Sequence, residues 1–442
     1  MKELEKLNEL KPQMIETVRQ LVRFDTVETA PVGDAPFGTG NKECLIYALK
    51  ECEKLGMTTV NCENYAGHAD FGSGEEIFGI LGHLDVVPAV EKTWIVPPYS
   101  GEIVDGKIYG RGVLDDKGPM VACMYAVKAL ADAGYKFKRK VRLIFGCNEE
   151  TGSLCMKHYF EKMPYPTLSF SPDANFPVIN REKGMLGLVF NLGKLPEEIT
   201  DFNAGLRKNI VPDECTVKLS KTFKGEIDNA VEKTDRGDYW LLTTKGVSAH
   251  GAMPKDGDNA IWKMVKALFK AFPTNKGLKF AAEKMCDYTG KAWGVHISDK
   301  QSGEITCNVG VARYENKELH FTVDVRHPVT YTCKQVIELF EKNSSEVKMT
   351  VQVASEPLFM SEDSYLVQEL LRAYKEATGK ESYAISIGGG TYSRSCRNCV
   401  AFGPEFPGMA ATIHQANECV DIEEFMEIAK IYMKAIKNIC CE

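Results

Sequence analysis

Residues 77–87, IFGILGHLDVV, read as a strand. Residues 118–134, GPMVACMYAVKALADAG, follow as a helix, with Pro119 in its first turn and Gly134 at its end. Residues 139–147, RKVRLIFGC, form the next strand, with Val141, Leu143, Ile144 and Phe145 in its buried run. Strand, helix, strand in this order implies a parallel sheet covered by helices. The fold class is therefore α/β, a mostly parallel sheet flanked by helices.

Moving outward, the middle of the chain changes character. GMLGLVFNLG, ECTVKLS and DYWLLTTKGVSA read as strands before the helix NAIWKMVKALFKAF. A hairpin, GEITCNVGVARYENKELHFTVDVRHP, precedes the helix CKQVIELFEKN and the strand VKMTVQVA. Hairpins with interspersed helices predict a separate α+β domain inserted at 183–357, between segments 1–182 and 358–442 of the first domain. After it come the helix YLVQELLRAYKEATG and the loop-rich AISIGGGTYSRS.

Apolar residues make up 44% and charged residues 26% of 442 positions, an ordinary soluble balance long enough for at least two domains. A net charge of −7 with acids and bases interspersed gives a nucleic-acid surface no support. No apolar stretch approaches the roughly 20 residues that span a bilayer. The amphipathic N-terminus lacks a secretory apolar core, and fifteen cysteines then point to reduced thiols in the cytoplasm. The one CxxC, Cys396 and Cys399, has no second pair and reads as packing, with metal or redox chemistry as the alternative.

Metal-competent side chains cluster at the ends of apolar runs: His83 and Asp85 in GHLDVVP, Asp115 and Asp116 in YGRGVLDDKG, Glu149 and Glu150 in NEETGS, Asp173 in FSPDANFP, and His414 in TIHQANE. Working groups in open α/β sheets gather at the carboxyl ends of strands. Adjacent carboxylates there need a positive partner, and His with carboxylates suits Zn²⁺, Mn²⁺ or a related divalent ion. Two ions about 3.5–4 Å apart would employ the whole set, leaving one of the paired glutamates free as general base. Singly, each motif has an ordinary reading: a strand-end His satisfied by Asp, a solvated turn or helix cap, surface charge. Together they exceed it. His68, His158, His296, His320 and His327 read as structural or surface residues. HExxH, GxxxxGK[ST] and GxGxxG are absent, and GVSAHG carries His250 where a serine-hydrolase elbow needs glycine.

GHLDVVP, YGRGVLDDKGPM, NEETGS, SPDANFP, GVSAHGAMP, VRHP, GGGTYSR and IHQANE together resemble the dinuclear zinc exopeptidases that include carnosinase, aminoacylase and succinyl-diaminopimelate desuccinylase. The nearest pattern is that of the bacterial PepV-type dipeptidases, and it covers nearly the whole chain in order. The resemblance implies that His83 and Asp173 bind one ion, Glu150 and His414 the other, and that Asp115 bridges them. It implies Zn²⁺, with Mn²⁺ or Co²⁺ as alternatives. Asp85 would orient the His83 imidazole, Glu149 would be the base, and the Asp115–Asp116 peptide would be cis. The inserted domain would be a lid, with His250 stabilising the oxyanion and Asn209 and Arg326 holding the substrate's end. Gly390 and Thr391, in the glycine-rich loop, would approach the substrate backbone. For Arg326 the residues alone favour a salt bridge at the hairpin's end. The expectation is a cytoplasmic, monomeric dipeptidase without nucleic-acid or membrane partners; the alternatives are an N-acyl amino acid amidohydrolase and a non-catalytic metal-dependent binding protein.

Overall fold

The computed structural model describes residues 2–410 and 412–442. The chain forms two compact units, one of Met1–Asn180, Met360–Ile385 and Gly390–Glu442, the other of Arg181–Phe359 and Ser386–Gly389. Each has its own apolar core.

In the first unit, helices α1 (Lys2–Val22) and α2 (Thr39–Lys54) precede strands β1 (Thr58–Cys62), β2 (Ala66–Phe71) and β3 (Ile77–His83). Helix α3 (Lys117–Asp132), β4 (Lys140–Gly146), α4 (Leu154–Lys162), β5 (Leu168–Ser171) and β6 (Val178–Glu182) follow. The second unit supplies β7 (Gly184–Lys194), β8 (Ile199–Ala204), β9 (Glu214–Ser220), β10 (Glu232–Asp235), β11 (Tyr239–Lys245) and α5 (Ala260–Ala271). It continues with β12 (Thr306–Glu315), β13 (Glu318–His327), α6 (Cys333–Asn343) and β14 (Lys348–Ser355). The chain then returns with α7 (Tyr365–Thr378), β15 (Cys399–Ala401) and α8 (Ile422–Cys440).

The first unit's sheet runs β1-β2-β4-β3-β5-β15-β6, parallel at its centre and antiparallel at both edges. Its central strands β3 and β4 are apolar almost without interruption because helices cover both faces. Helix α3 is apolar all round, with side chains from Lys117 to Val127 buried, as a helix enclosed by α1, α8 and β3 must be. Parallel register puts His83 opposite Gly146, so the segments leaving β3 and β4 emerge at one end of the sheet.

The second unit's sheet has the order β10-β11-β9-β8-β12-β13-β7-β14 and is antiparallel throughout. Strands β7, β12, β13 and β14, with a short helix Lys276–Phe280 and α6, form a split βαββαβ unit. Strands β8–β11 are inserted after β7 and extend the sheet beyond β12, where Asn203 pairs with Arg313 and Ala204 with Ala312.

Candidate active site

Four segments of the first unit converge at the carboxyl end of its parallel strands. His83 is the last residue of β3, Glu149 and Glu150 follow β4, Asp173 follows β5, and Asp115 precedes α3. His414 arrives from the loop before α8, with a left-handed backbone (φ 61°) that costs a non-glycine residue on the order of 1–2 kcal/mol. The Asp115–Asp116 peptide is cis.

Asp115 lies at the centre. One carboxylate oxygen, Oδ1, is 2.9 Å from His83 Nε2, and the other, Oδ2, is 2.9 Å from His414 Nε2. His414 Nε2 is also 2.9 Å from Glu150 Oε1, and His83 Nε2 is 3.8 Å from Asp173 Oδ1. Two overlapping sets emerge, His83 with Glu149 and Asp173, and His83 with Asp115 and Glu150, the potential ligand atoms of each lying within 4.8 Å of one another.

Asp85 organises this cluster from beneath. Its main-chain carbonyl accepts a hydrogen bond from His83 Nδ1 at 2.9 Å, which turns Nε2 toward Asp115. Its carboxylate oxygens accept the backbone N–H groups of Glu149 and Glu150, each at 3.0 Å, and so set the direction of both glutamates. Gly146, just before that turn, has no room for a side chain: a Cβ there would lie 1.8 Å from the buried Tyr392 hydroxyl. The Tyr392 ring in turn meets His83 edge to face, with centroids 5.9 Å apart.

The electrostatics follow from so many acids in one buried place. Burial, reinforced by the charge of Asp173, raises Glu149 well above the usual carboxylate range. Burial and then Asp115 push Asp173 up to about 7. Hydrogen bonds to Asp115 and Glu150 raise His414 to about 10. Burial opposes protonation of His83, but hydrogen bonds to Asp115, Asp173 and Asp85 overcome it and raise its pKa. The cluster thus attracts positive charge onto both imidazoles from carboxylates that would serve equally as ligands. Its imidazole and carboxylate donors fit divalent zinc, manganese or cobalt.

Glu418, four residues after His414, was not singled out from sequence. It is fully buried, and its Oε1 accepts the N–H groups of Gly112 (3.1 Å), Leu114 (3.0 Å) and Asp115 (3.3 Å). Its Oε2 accepts from Arg111 Nη1 at 2.7 Å. One carboxylate thereby fastens the Asp115 segment to the His414 segment. The signal lay in IHQANE itself, an acid entering the short strand Cys419–Asp421. Cys396 is buried against Ser169, 3.5 Å from its Oγ, and none of the fifteen cysteines is in a disulfide among the described residues. His68 is buried beside the Tyr159 hydroxyl at 2.8 Å, and His158 stacks on Tyr65.

Asn209, His250 and Arg326 lie in the second unit. Arg326 is buried; its Nε donates to Asp324 Oδ2 at 3.0 Å and its Nη1 to the Gly388 carbonyl at 3.0 Å. The Asn209 carbonyl accepts the Gly251 N–H at 2.7 Å, tying the Asn209 and His250 loops together. His250 Nδ1 accepts from the Ala252 N–H at 3.2 Å, and burial followed by the charge of Arg326 lowers its pKa. Gly390 and Thr391 belong to the first unit, where the Thr391 hydroxyl accepts from the Ser393 N–H at 3.2 Å.

An α/β unit in which two histidines share one carboxylate at the ends of parallel strands has the architecture of a metal-dependent hydrolase. The pattern that defines Peptidase family M20/M25/M40 matches residues 79–438, a span containing the whole cluster. The chain belongs to this family and is a metal-dependent hydrolase of peptide bonds. It is 35% identical to the Bacillus subtilis (strain 168) protein named "Putative dipeptidase YtjP", over 97% of each chain. It is 31% identical to "Putative dipeptidase SH1171" of Staphylococcus haemolyticus (strain JCSC1435), over 99% of each. Among solved structures it is similar in fold to human carnosine dipeptidase 1, with a TM-score of 0.59 and 16% identity, covering 99% of this chain and 98% of that one. The M20 family metallo-carboxypeptidase Sso-CP2 of Sulfolobus solfataricus has a TM-score of 0.60 at 18% identity, with coverage of 96% and 98%. Among the described residues, no helix is long and apolar enough to cross a membrane.

Proposed function

We propose that this protein is a dipeptidase that cleaves small unblocked peptides with two divalent ions and Glu149 as general base. The observation carrying the proposal is the placement of Asp115, whose two oxygens each face a different histidine at 2.9 Å. That geometry suits a bridging ligand, with His83 and Asp173 completing one ion's set and Glu150 and His414 the other's. Bound there, the ions would polarise the scissile carbonyl and acidify a water.

The chain's own groups would do the rest. Glu149, its proton affinity raised by burial, is suited to take a proton from the attacking water and pass it to the leaving amine. His250 accepts a backbone N–H at Nδ1, so its neutral ring carries its proton on Nε2, the tautomer that donates to a developing oxyanion. Asn209 and Arg326 would hold the substrate's end, and Gly390 and Thr391 would approach its backbone. The two relatives named as dipeptidases, similar over nearly their whole length, support this substrate class. Cysteines buried through the core without disulfides among the described residues fit work in the cytoplasm.

The test is turnover of a dipeptide panel against N-acetyl and N-succinyl amino acids after reconstitution with Zn²⁺, Mn²⁺ or Co²⁺. Preferential cleavage of the acyl compounds would replace the dipeptidase reading with the amidohydrolase one. A purely metal-binding role predicts loss of Glu149 or a ligand, and the chain retains all of them.

A further inference from the structure

Strands β7 and β13 pair so that Met185 faces Arg326 and Gly187 faces Asp324. Cross-strand partners and alternate residues share a face of a sheet, so these four positions form one patch. Gly187 contributes no side chain to it. The vacant space is taken by Lys208, whose Nζ lies 2.5 Å from where a Cβ on Gly187 would stand. Lys208 reaches in from the Asn209 loop, which Asn308 pins by donating through Nδ2 to the carbonyls of Lys208 (2.9 Å) and Ile210 (3.0 Å). The His250 loop meets the same patch, since a Cβ on Gly251 would lie 2.9 Å from Asp324 Oδ2.

The charges on this patch do not cancel. Arg326 is 7% exposed and Asp324 2%, and their hydrogen-bonded pair is neutral as a whole. Among the described residues the Lys208 ammonium has no hydrogen bond or ion pair. It is half-buried, and burial lowers its pKa, with Asp324 opposing the shift and Arg326 adding to it. A carboxylate reaching Arg326 therefore finds guanidinium N–H geometry whose charge Asp324 already balances, and beside it an ammonium with a charge to spare.

We infer that Lys208 is a specificity-determining residue, supplying the net positive charge that holds the terminal carboxylate of the peptide beside Arg326. The inference rests on the proposed role of Arg326 at the substrate's carboxyl end and adds a residue and a division of labour to it. Arg326 orients the carboxylate and Lys208 neutralises it.

The experiment compares alanylalanine with alanylalanine amide as substrates of the metal-reconstituted full chain. In Lys208→Met, KM for the acid should rise roughly ten- to hundredfold more than KM for the amide, the range expected for loss of one charge-assisted contact. Lys208→Arg should restore part of the discrimination. Gly187→Ala keeps the charge but puts a methyl where the ammonium lies, and should reproduce the effect in weaker form. A Lys208→Met enzyme with the wild-type acid-to-amide ratio, or with equal losses on both substrates, overturns the inference while leaving the Arg326 reading intact. A wild-type enzyme that does not distinguish acid from amide overturns the Arg326 reading itself.

Discussion

At the scale of single residues, the proposed function gives Asp115 and the glutamate pair most of the chemistry and assigns the two neighbouring glutamates different tasks. Glu149→Gln should retain the metal while kcat falls at least about a hundredfold, the lower end for loss of a general base. Glu150→Gln should lose metal first, as measured by metal analysis after dialysis; equal metal loss in both variants would contradict the division. His414 makes a pH prediction. Its folded pKa, about 10, lies above the unfolded value of about 6.5. Its contacts with Asp115 and Glu150 therefore stabilise the metal-free protein fully below about pH 6.5, and that contribution is lost as pH rises toward 10. The Tm of metal-free protein should fall more steeply across this window in wild type than in His414→Gln; parallel curves would sink the assignment. The acids at strand ends were legible because charge at the end of an apolar run is anomalous in itself. Glu418 was not, because what distinguishes it is burial under the N–H groups of Gly112, Leu114 and Asp115, more than 300 residues away in sequence.

At the scale of elements, periodicity exposed those that bury a full face. The hairpin of β12 and β13 and the helix Cys333–Asn343 fall where the pattern predicts them. Strands β1 and β2 were missed: β1 is five residues long and mostly exposed, so it shows no apolar alternation. With that hairpin unread, the antiparallel edge of the first sheet was invisible and only its parallel centre was expected. The turn after β4 depends on Gly146. Gly146→Ala forces the Tyr392 hydroxyl or the strand to shift, and overpacking of this kind costs about 1–3 kcal/mol. Thermal unfolding should register that loss, together with weaker metal binding as the Glu149–Glu150 turn moves. A Gly146→Ala protein with wild-type Tm and metal affinity would show that the Tyr392 contact places no constraint on the turn.

At the scale of the whole molecule, the succession of strand, helix and strand carried the fold class, and the inserted unit was visible as a change from alternating β and α to successive hairpins. What the pattern did not reveal is that one sheet would hold all eight long strands of that unit. In the ladder, the βαββαβ half and its β8–β11 extension meet at Asn203–Arg313 and Ala204–Ala312, and Arg313 adds hydrogen bonds to the Ala204 and Gly205 carbonyls. We expect activity from a monomer, with His250 serving the metals of its own chain. Mixing His250→Ala with Glu149→Gln should then restore nothing, and recovery of activity would reveal exchange between chains. The joint in the sheet has a further consequence. Were the two parts separate subunits, joining them would cost the lost freedom of two bodies and the join would weaken on dilution. Here the partner strands arrive on the same backbone, at an effective concentration set by the chain and not by the cell. The seam is therefore as complete in one isolated molecule as in a crowded solution, and specific activity per chain should be flat down to the lowest concentration that can be assayed.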